Sequence, residues 1–91
     1  MIKNTDNIYK SATIRLDGNS FENCAFDKCR LVFGGTGDVG ISGCTFKECE
    51  WTFIDSAATT LRFLSGLYSG FGPDGKQLVE DTFKNIRSGN V

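Results

Sequence analysis

Cys24-Ala25-Phe26-Asp27-Lys28-Cys29-Arg30-Leu31-Val32-Phe33 aligns without a gap on Cys44-Thr45-Phe46-Lys47-Glu48-Cys49-Glu50-Trp51-Thr52-Phe53, twenty residues further on. Cys, Phe, Cys, a large apolar residue and Phe all recur in place. A fixed internal period marks a solenoid, in which each unit is too small to hold a core alone and stacks on its copy.

A shorter period sits inside the longer one. Leu16, Phe21, Phe26 and Leu31 are five apart, and Ile41, Phe46 and Trp51 continue that frame after one skipped slot at Thr36. Two residues before each runs a second series: Ile14, Asn19, Cys24, Cys29, then Val39, Cys44 and Cys49. Residues two apart in an extended segment point to the same side, so the two series share one face. A period of five fits neither a helix nor an uninterrupted strand; it fits a short extended piece and a corner, repeated.

This pattern resembles the pentapeptide-repeat proteins. The resemblance implies a right-handed quadrilateral β-helix with four five-residue sides per coil, Leu or Phe at the central inward position and a small residue two before it. It covers about residues 12–53, and the β-helix it implies is set at residues 12–54, about two coils. Departures are Asn19 at a small inward position, Trp51 as a very large centre, and Gly34-Gly35-Thr36-Gly37, where glycine loosens or bulges one side. Some members of the family inhibit DNA gyrase by imitating duplex DNA with a long acidic rod. This chain has ten basic and eleven acidic side chains and a net charge of −1, which suits that role poorly and also gives no reason to expect direct nucleic-acid binding.

Around the repeat, the expectation is one domain over residues 1–91. Residues 1–11 are a polar arm or an incomplete first coil, with Ile8 and Tyr9 capping the stack. The four cysteines have three readings: reduced core residues stacked in pairs (Cys24 on Cys44, Cys29 on Cys49), stacked disulfides, or a metal site. A cytoplasmic location is expected, from the absence of a long apolar run or a leader, and it favours reduced thiols. No cofactor and no metal is expected. Outward charges of both signs, with Lys28 beside Glu48 and Arg30 beside Glu50 one coil apart, read as cross-strand pairs on a solvated wall.

At Asp55 the five-residue frame stops and helical spacing begins. Ser56 is the expected N-cap; Leu61, Leu64 and Tyr68 lie at i, i+3 and i+7, and Phe63 and Leu67 at i and i+4. Gly70 and Phe71-Gly72-Pro73 end this helix. Asp74 and Gln77 form a D-x-x-Q capping box for a second helix. Its apolar face is Leu78, Val79, Thr82, Phe83 and Ile86, with Glu80 and Lys84 paired on the other face and Gly89 as the stop. Residues 55–91 are thus a helical hairpin that caps the coils and assembles copies of the chain.

Two amphipathic helices offer more apolar surface than the end of a two-coil stack can cover. A homodimer or homotrimer is therefore expected through Leu64, Leu67, Leu78, Val79, Phe83 and Ile86. Catalysis is not expected. The chain has no His, and so lacks the commonest general base near neutral pH. The cysteines face inward, and acidic pairs such as Asp17 with Glu22 belong to a mixed-charge wall. The glycine-rich segment lacks the Lys-Ser or Lys-Thr of a phosphate cradle. The expected function is a small non-enzymatic oligomer that binds another protein. An alternative is an oligomer that sequesters a small anionic molecule such as a nucleotide between subunits, with Arg62 and Arg87 on the anion and Tyr68 or Phe71 as a stacking surface. A DNA-mimicking topoisomerase inhibitor is a further alternative.

Overall fold

The chain is described here by a computed structural model over residues 1–90. It falls into two compact units, one over Met1–Ala58 and a second over the described residues from Thr59 on.

The first unit carries nine strands: β1 (Ile2–Thr5), β2 (Ile8–Lys10), β3 (Thr13–Arg15), β4 (Asn19–Glu22), β5 (Ala25–Asp27), β6 (Arg30–Phe33), β7 (Gly40–Ser42), β8 (Thr45–Lys47) and β9 (Glu50–Phe53). They form three parallel three-stranded sheets, ordered β1-β4-β7, β2-β5-β8 and β3-β6-β9. Successive strands pass to successive sheets, and every third strand lands on the first again. The arrangement is that of a β-helix-like solenoid.

The corners follow from backbone conformation. Asp6 and Ser11, Asn23 and Lys28, and Gly43 and Glu48 all adopt positive φ, from 50° to 64°. Each pair is five residues apart, so one left-handed residue turns the chain between consecutive strands. Asn, Asp and Gly tolerate that region best, whereas Lys28 and Glu48 adopt it at a steric cost of about 1–2 kcal/mol each. The corner amides carry on the pairing between tiers: Asp6 N donates to Glu22 O, Ser11 N to Asp27 O, Asn23 N to Ser42 O and Lys28 N to Lys47 O, each at 2.9 Å.

Strand register stacks the inward side chains into three columns: Asn4, Phe21 and Ile41; Tyr9, Phe26 and Phe46; Ile14, Leu31 and Trp51. In the middle column the Phe26 ring lies 5.0 Å from Tyr9 and 5.0 Å from Phe46, nearly parallel to both. Phe21, Phe26, Leu31, Cys24, Cys29 and Leu16 form the buried core. All four cysteines are free thiols. Each lies near two backbone carbonyls, one two residues earlier and one in the preceding tier: Cys29 Sγ is 3.4 Å from Asp27 O and from Tyr9 O, and Cys49 Sγ is 3.5 Å from Lys47 O and 3.4 Å from Phe26 O. Small side chains two before the column centre thus pack against the preceding turn of chain.

Several expectations need correction. There are three tiers of strands rather than about two coils, because residues 1–11 are the incomplete first coil, not a polar arm, and supply β1 and β2. The first period is seventeen residues, Ile2 pairing with Asn19 and Thr13 with Arg30, and the second is twenty, Ser20 pairing with Gly40. Ile14 is therefore a column centre above Leu31 and not one of the small series, while Leu16 fills the interior from the return between β3 and β4. Tyr9 stacks on the core as expected of a cap, but Ile8 points to solvent. Arg30 and Glu50 pair at 3.5 Å on an exposed wall, whereas Lys28 and Glu48 do not close to ion-pair distance. Arg15 Nη2 meets Asp55 Oδ2 at 3.8 Å instead.

The second unit contains most of α1 (Asp55–Gly70) and all of α2 (Gly72–Ser88), joined through Phe71. The helices approach most closely beside this joint: a Cβ on Gly75 would collide with Leu67 O and stand 2.9 Å from Phe71 Cβ. Lys76 Nζ lies 5.8 Å from the Tyr68 ring centroid. Gly89 ends α2 in the left-handed conformation, its N–H and that of Asn90 returning to Ile86 O and Asn85 O. The start of α2 differs from expectation. Pro73 occupies its first turn, Phe71 is the N-cap without a side-chain bond, and Asp74 already lies inside the helix. The capping box does not form, and Gln77 Nε2 donates to Asp81 Oδ1 at 2.9 Å. Helix α1 begins at Asp55, one residue before the expected N-cap Ser56. Glu80 and Lys84 form no ion pair among the described residues, whose salt bridges all lie in the first unit.

Two contrasts test these packing arguments by chemical denaturation. Phe26, 1% exposed between two rings, and Phe46, 37% exposed at the end of its column, should differ: Phe26→Ala should cost about 3–5 kcal/mol and Phe46→Ala clearly less. Equal losses would mean that the tiers do not share one core. Within the helices, Gly66 has open space around it, so Gly66→Ala should stabilise by about 0.5–1 kcal/mol. Gly75→Ala should instead destabilise, by forcing α2 off the Leu67 carbonyl.

Candidate functional site

Two places gather polar or apolar groups in a way that strand or helix formation does not require. The first is the return between β6 and β7, residues 34–39. It is three residues longer than the return between β3 and β4, residues 16–18, which accounts for the lengthened period. Its backbone is held by one carboxylate. Asp17 Oδ1 accepts from Gly34 N at 2.8 Å and Arg15 Nε at 2.9 Å; Oδ2 accepts from Thr36 N at 2.7 Å and Thr36 Oγ1 at 2.9 Å.

Gly34 O then accepts from Ala57 N at 3.1 Å, which ties the first turn of α1 to the same return. Gly35 has φ of 79° and passes so close to Ala57 that a Cβ would stand 3.1 Å from its nitrogen. The glycines are thus explained by a tight return under a helix start. The segment is no vacant anion cradle: the amides of Gly34 and Thr36 already serve the chain's own carboxylate. The Gly34 amide foremost, then the Thr36 amide, Arg15 and the Thr36 hydroxyl, hold Asp17 well below the usual carboxylate range, against desolvation that acts the other way. Sequence reasoning missed this role because Asp17 read as one more outward charge. The nearby glycine-rich insertion, full of amides that need an acceptor, was the available signal.

The second place is in the helical unit. Beyond the Gly75 contact an open groove of about 380 Å3 lies between side chains of the two helices. Leu61, Leu64 and Tyr68 line it from α1, and Val79, Glu80 and Phe83 from α2. The i, i+3, i+7 spacing of Leu61, Leu64 and Tyr68 therefore does mark a shared face, as read from sequence. That face meets an opening rather than a closed hairpin interior. Of the expected interface residues, Val79 is buried, Leu64 and Leu67 are half-buried, and Leu78, Phe83 and Ile86 are 45% to 53% exposed.

The four residues expected on an anionic ligand are not brought together. Tyr68 lines the groove. Arg62 is exposed on α1, its Nη2 donating to Thr59 Oγ1 at 3.2 Å. Phe71 precedes α2 and Arg87 lies in its last turn, which sets them about 24 Å apart along the helix axis. Glu80, expected on the solvent face in a pair with Lys84, is instead a groove residue with no cation at ion-pair distance among the described residues. The misplacement comes from its position beside Val79 on a helix whose apolar arc is wide.

Among the described residues, no cluster of His, Cys, Asp or Glu has metal-binding geometry, and no helix is long and apolar enough to cross a membrane. The chain matches no family model, and comparisons with curated proteins and with solved structures give no match.

Linkage gives the Asp17 contact a sign. A carboxyl whose pKa is lower folded than unfolded contributes stability that is present above the unfolded value, about 3.9, and lost as pH falls through the folded one. Urea midpoints should therefore fall as pH drops below about 4. In Asp17→Asn the midpoint at pH 7 should be lower than in the wild type and this part of the acid slope should disappear. An unchanged acid slope would remove Asp17 from the account of the return.

Proposed function

We propose that the protein is a small non-enzymatic binding module that works as a homo-oligomer through protein–protein contacts of its C-terminal helices. The observation that carries this reading is the open apolar groove, flanked by large side chains that the chain itself leaves uncovered: Leu61, Phe63, Tyr68, Phe71, Leu78, Phe83 and Ile86 are 42% to 68% exposed. Monomeric proteins rarely leave a contiguous apolar surface of that kind in water. Closed symmetric assembly is the commonest way of burying one.

The strand unit supports the same reading in two ways. Its five-residue corner spacing and its columns of Phe and Leu centres support reading this β-helix-like solenoid as a short right-handed quadrilateral β-helix of the pentapeptide-repeat kind. Its last tier also leaves Ile41, Trp51 and Phe53 nearly half exposed, a second apolar surface suited to a protein partner. The wall charges are mixed in sign, with Arg30 and Glu50 paired across tiers, and so form no continuous acidic stripe of the kind a DNA mimic needs.

Sedimentation velocity between micromolar and 100 micromolar protein tests the reading. The wild type should sediment as a dimer or trimer, and Phe83→Asp, which places a charge on the groove wall, should sediment as a monomer with its helical circular dichroism retained. A wild type that stays monomeric over the whole range would sink the proposal. A dimer carrying a reproducible extra mass of a few hundred daltons in native mass spectrometry would move the reading toward ligand sequestration.

A further inference from the structure

Glu80 poses a specific problem of charge. Glu80 is an exposed residue on the wall of an apolar groove, and among the described residues no cation lies within ion-pair distance of its carboxylate. A carboxylate in such a place is tolerated while water enters the groove; once an occupant displaces that water, the charge requires a partner. Whatever fills the groove must therefore be apolar along most of its length and bring one cation.

Helix α1 has that composition. After Asp55 its only charged side chain is Arg62, and the rest is aliphatic, aromatic, Ser, Thr, Ala or Gly. Arg62 lies three and seven residues before Ser65 and Ser69, which also line the groove, so it stands on the edge of the face that meets the opening. Its hydrogen bond to Thr59 Oγ1 uses a single donor of a guanidinium that has five.

Area decides between a small molecule and a second chain. At 150–250 Å2 per aromatic side chain, the half-exposed apolar residues of the two helices together expose on the order of 600 Å2 per copy, not all of it on the groove side. Two copies that covered all of it would bury about 1,200 Å2, the lower end of a stable specific interface. A small molecule seated in about 380 Å3 would leave Phe63, Phe71, Leu78 and Ile86 in water.

We propose that the groove of each chain receives helix α1 of a second copy, reciprocally, with Arg62 of each copy paired to Glu80 of the other. This rests on the self-association proposed above and adds its geometry. In such an isologous contact one residue pair occurs twice, so a single defect is felt twice and an exchange of charge on both sides repairs both contacts.

The experiment measures dimer dissociation constants by sedimentation for the full chain, for Arg62→Glu, for Glu80→Arg, for the double variant, and for an equimolar mixture of the two single variants. Each single variant should dimerise at least about tenfold more weakly than the wild type, because it sets like charges opposite one another. The double variant should recover to within about threefold. The mixture should recover as well, since its heterodimer contains two matched pairs. Singles that dimerise like the wild type would overturn the Arg62–Glu80 contact while leaving self-association standing. Recovery in the double variant but not in the mixture would place the pair within one chain and overturn the reciprocal arrangement. Loss in Arg62→Glu that neither exchange repairs, together with loss of a bound mass of a few hundred daltons, would assign Arg62 to an anionic ligand instead. A monomeric wild type overturns both readings.

Discussion

The strand unit depends on one constraint: each inward side chain must lie over its counterpart in the neighbouring tier. Parallel strands pair in register, so a slip of one residue would turn Phe26 away from Tyr9 and Phe46 and put Asp27 in the column. Lengths may therefore change only where no strand is paired. The three-residue difference between the two periods is confined to the returns, and the columns on either side are undisturbed. A longer return has more unpaired amides, and Asp17 supplies the acceptor that binds two of them. Register, insertion and the Asp17 carboxylate that ties the insertion down are successive consequences of a single packing rule.

That rule also explains what could be read from residues alone. The Cys-Phe-Cys repeat lies in the two tiers whose column centres are all apolar, and there spacing located the columns without error. The first tier was harder to see because Asn4 holds the centre of its first strand. Asn4 is half-buried and hydrogen-bonds to Ser20 O and to Asn19 Oδ1, as befits a residue at the open end of a stack. A polar centre breaks the apolar signal. Leu16, which follows Ile14 by two, then offered a false continuation of the frame, since a side chain in a return can enter the core without obeying the strand period. The corners were legible only in part: Asn23 and Gly43 suit positive φ, whereas Lys28 and Glu48 do not advertise it.

In the helical unit, periodicity identified the apolar faces but could not say what they would meet. Gly75 looked like an ordinary turn residue near Pro73; its close approach to the Leu67 carbonyl appears only when the two helices are placed together. The same contact pins the joint, and beyond it the two apolar faces become the walls of a groove. Glu80 then changes character from a solvated charge to a groove residue. A helix-capping signal failed for a local reason as well: with Phe71 as N-cap and Pro73 in the first turn, Asp74 comes too late to cap the amides it was expected to cap.

If the groove is the interface proposed above, its chemistry would select a partner as well as attract one. Apolar area alone would favour any hydrophobic helix, since burial is non-directional. A lone carboxylate in the groove penalises most such helices, because covering it without a cation leaves a buried unpaired charge. A helix with one Arg in an otherwise uncharged face escapes that penalty, and α1 of this same chain is such a helix. On the proposed pairing, Glu80 lowers the affinity of the groove for apolar helices in general and leaves a second copy as the occupant that loses least.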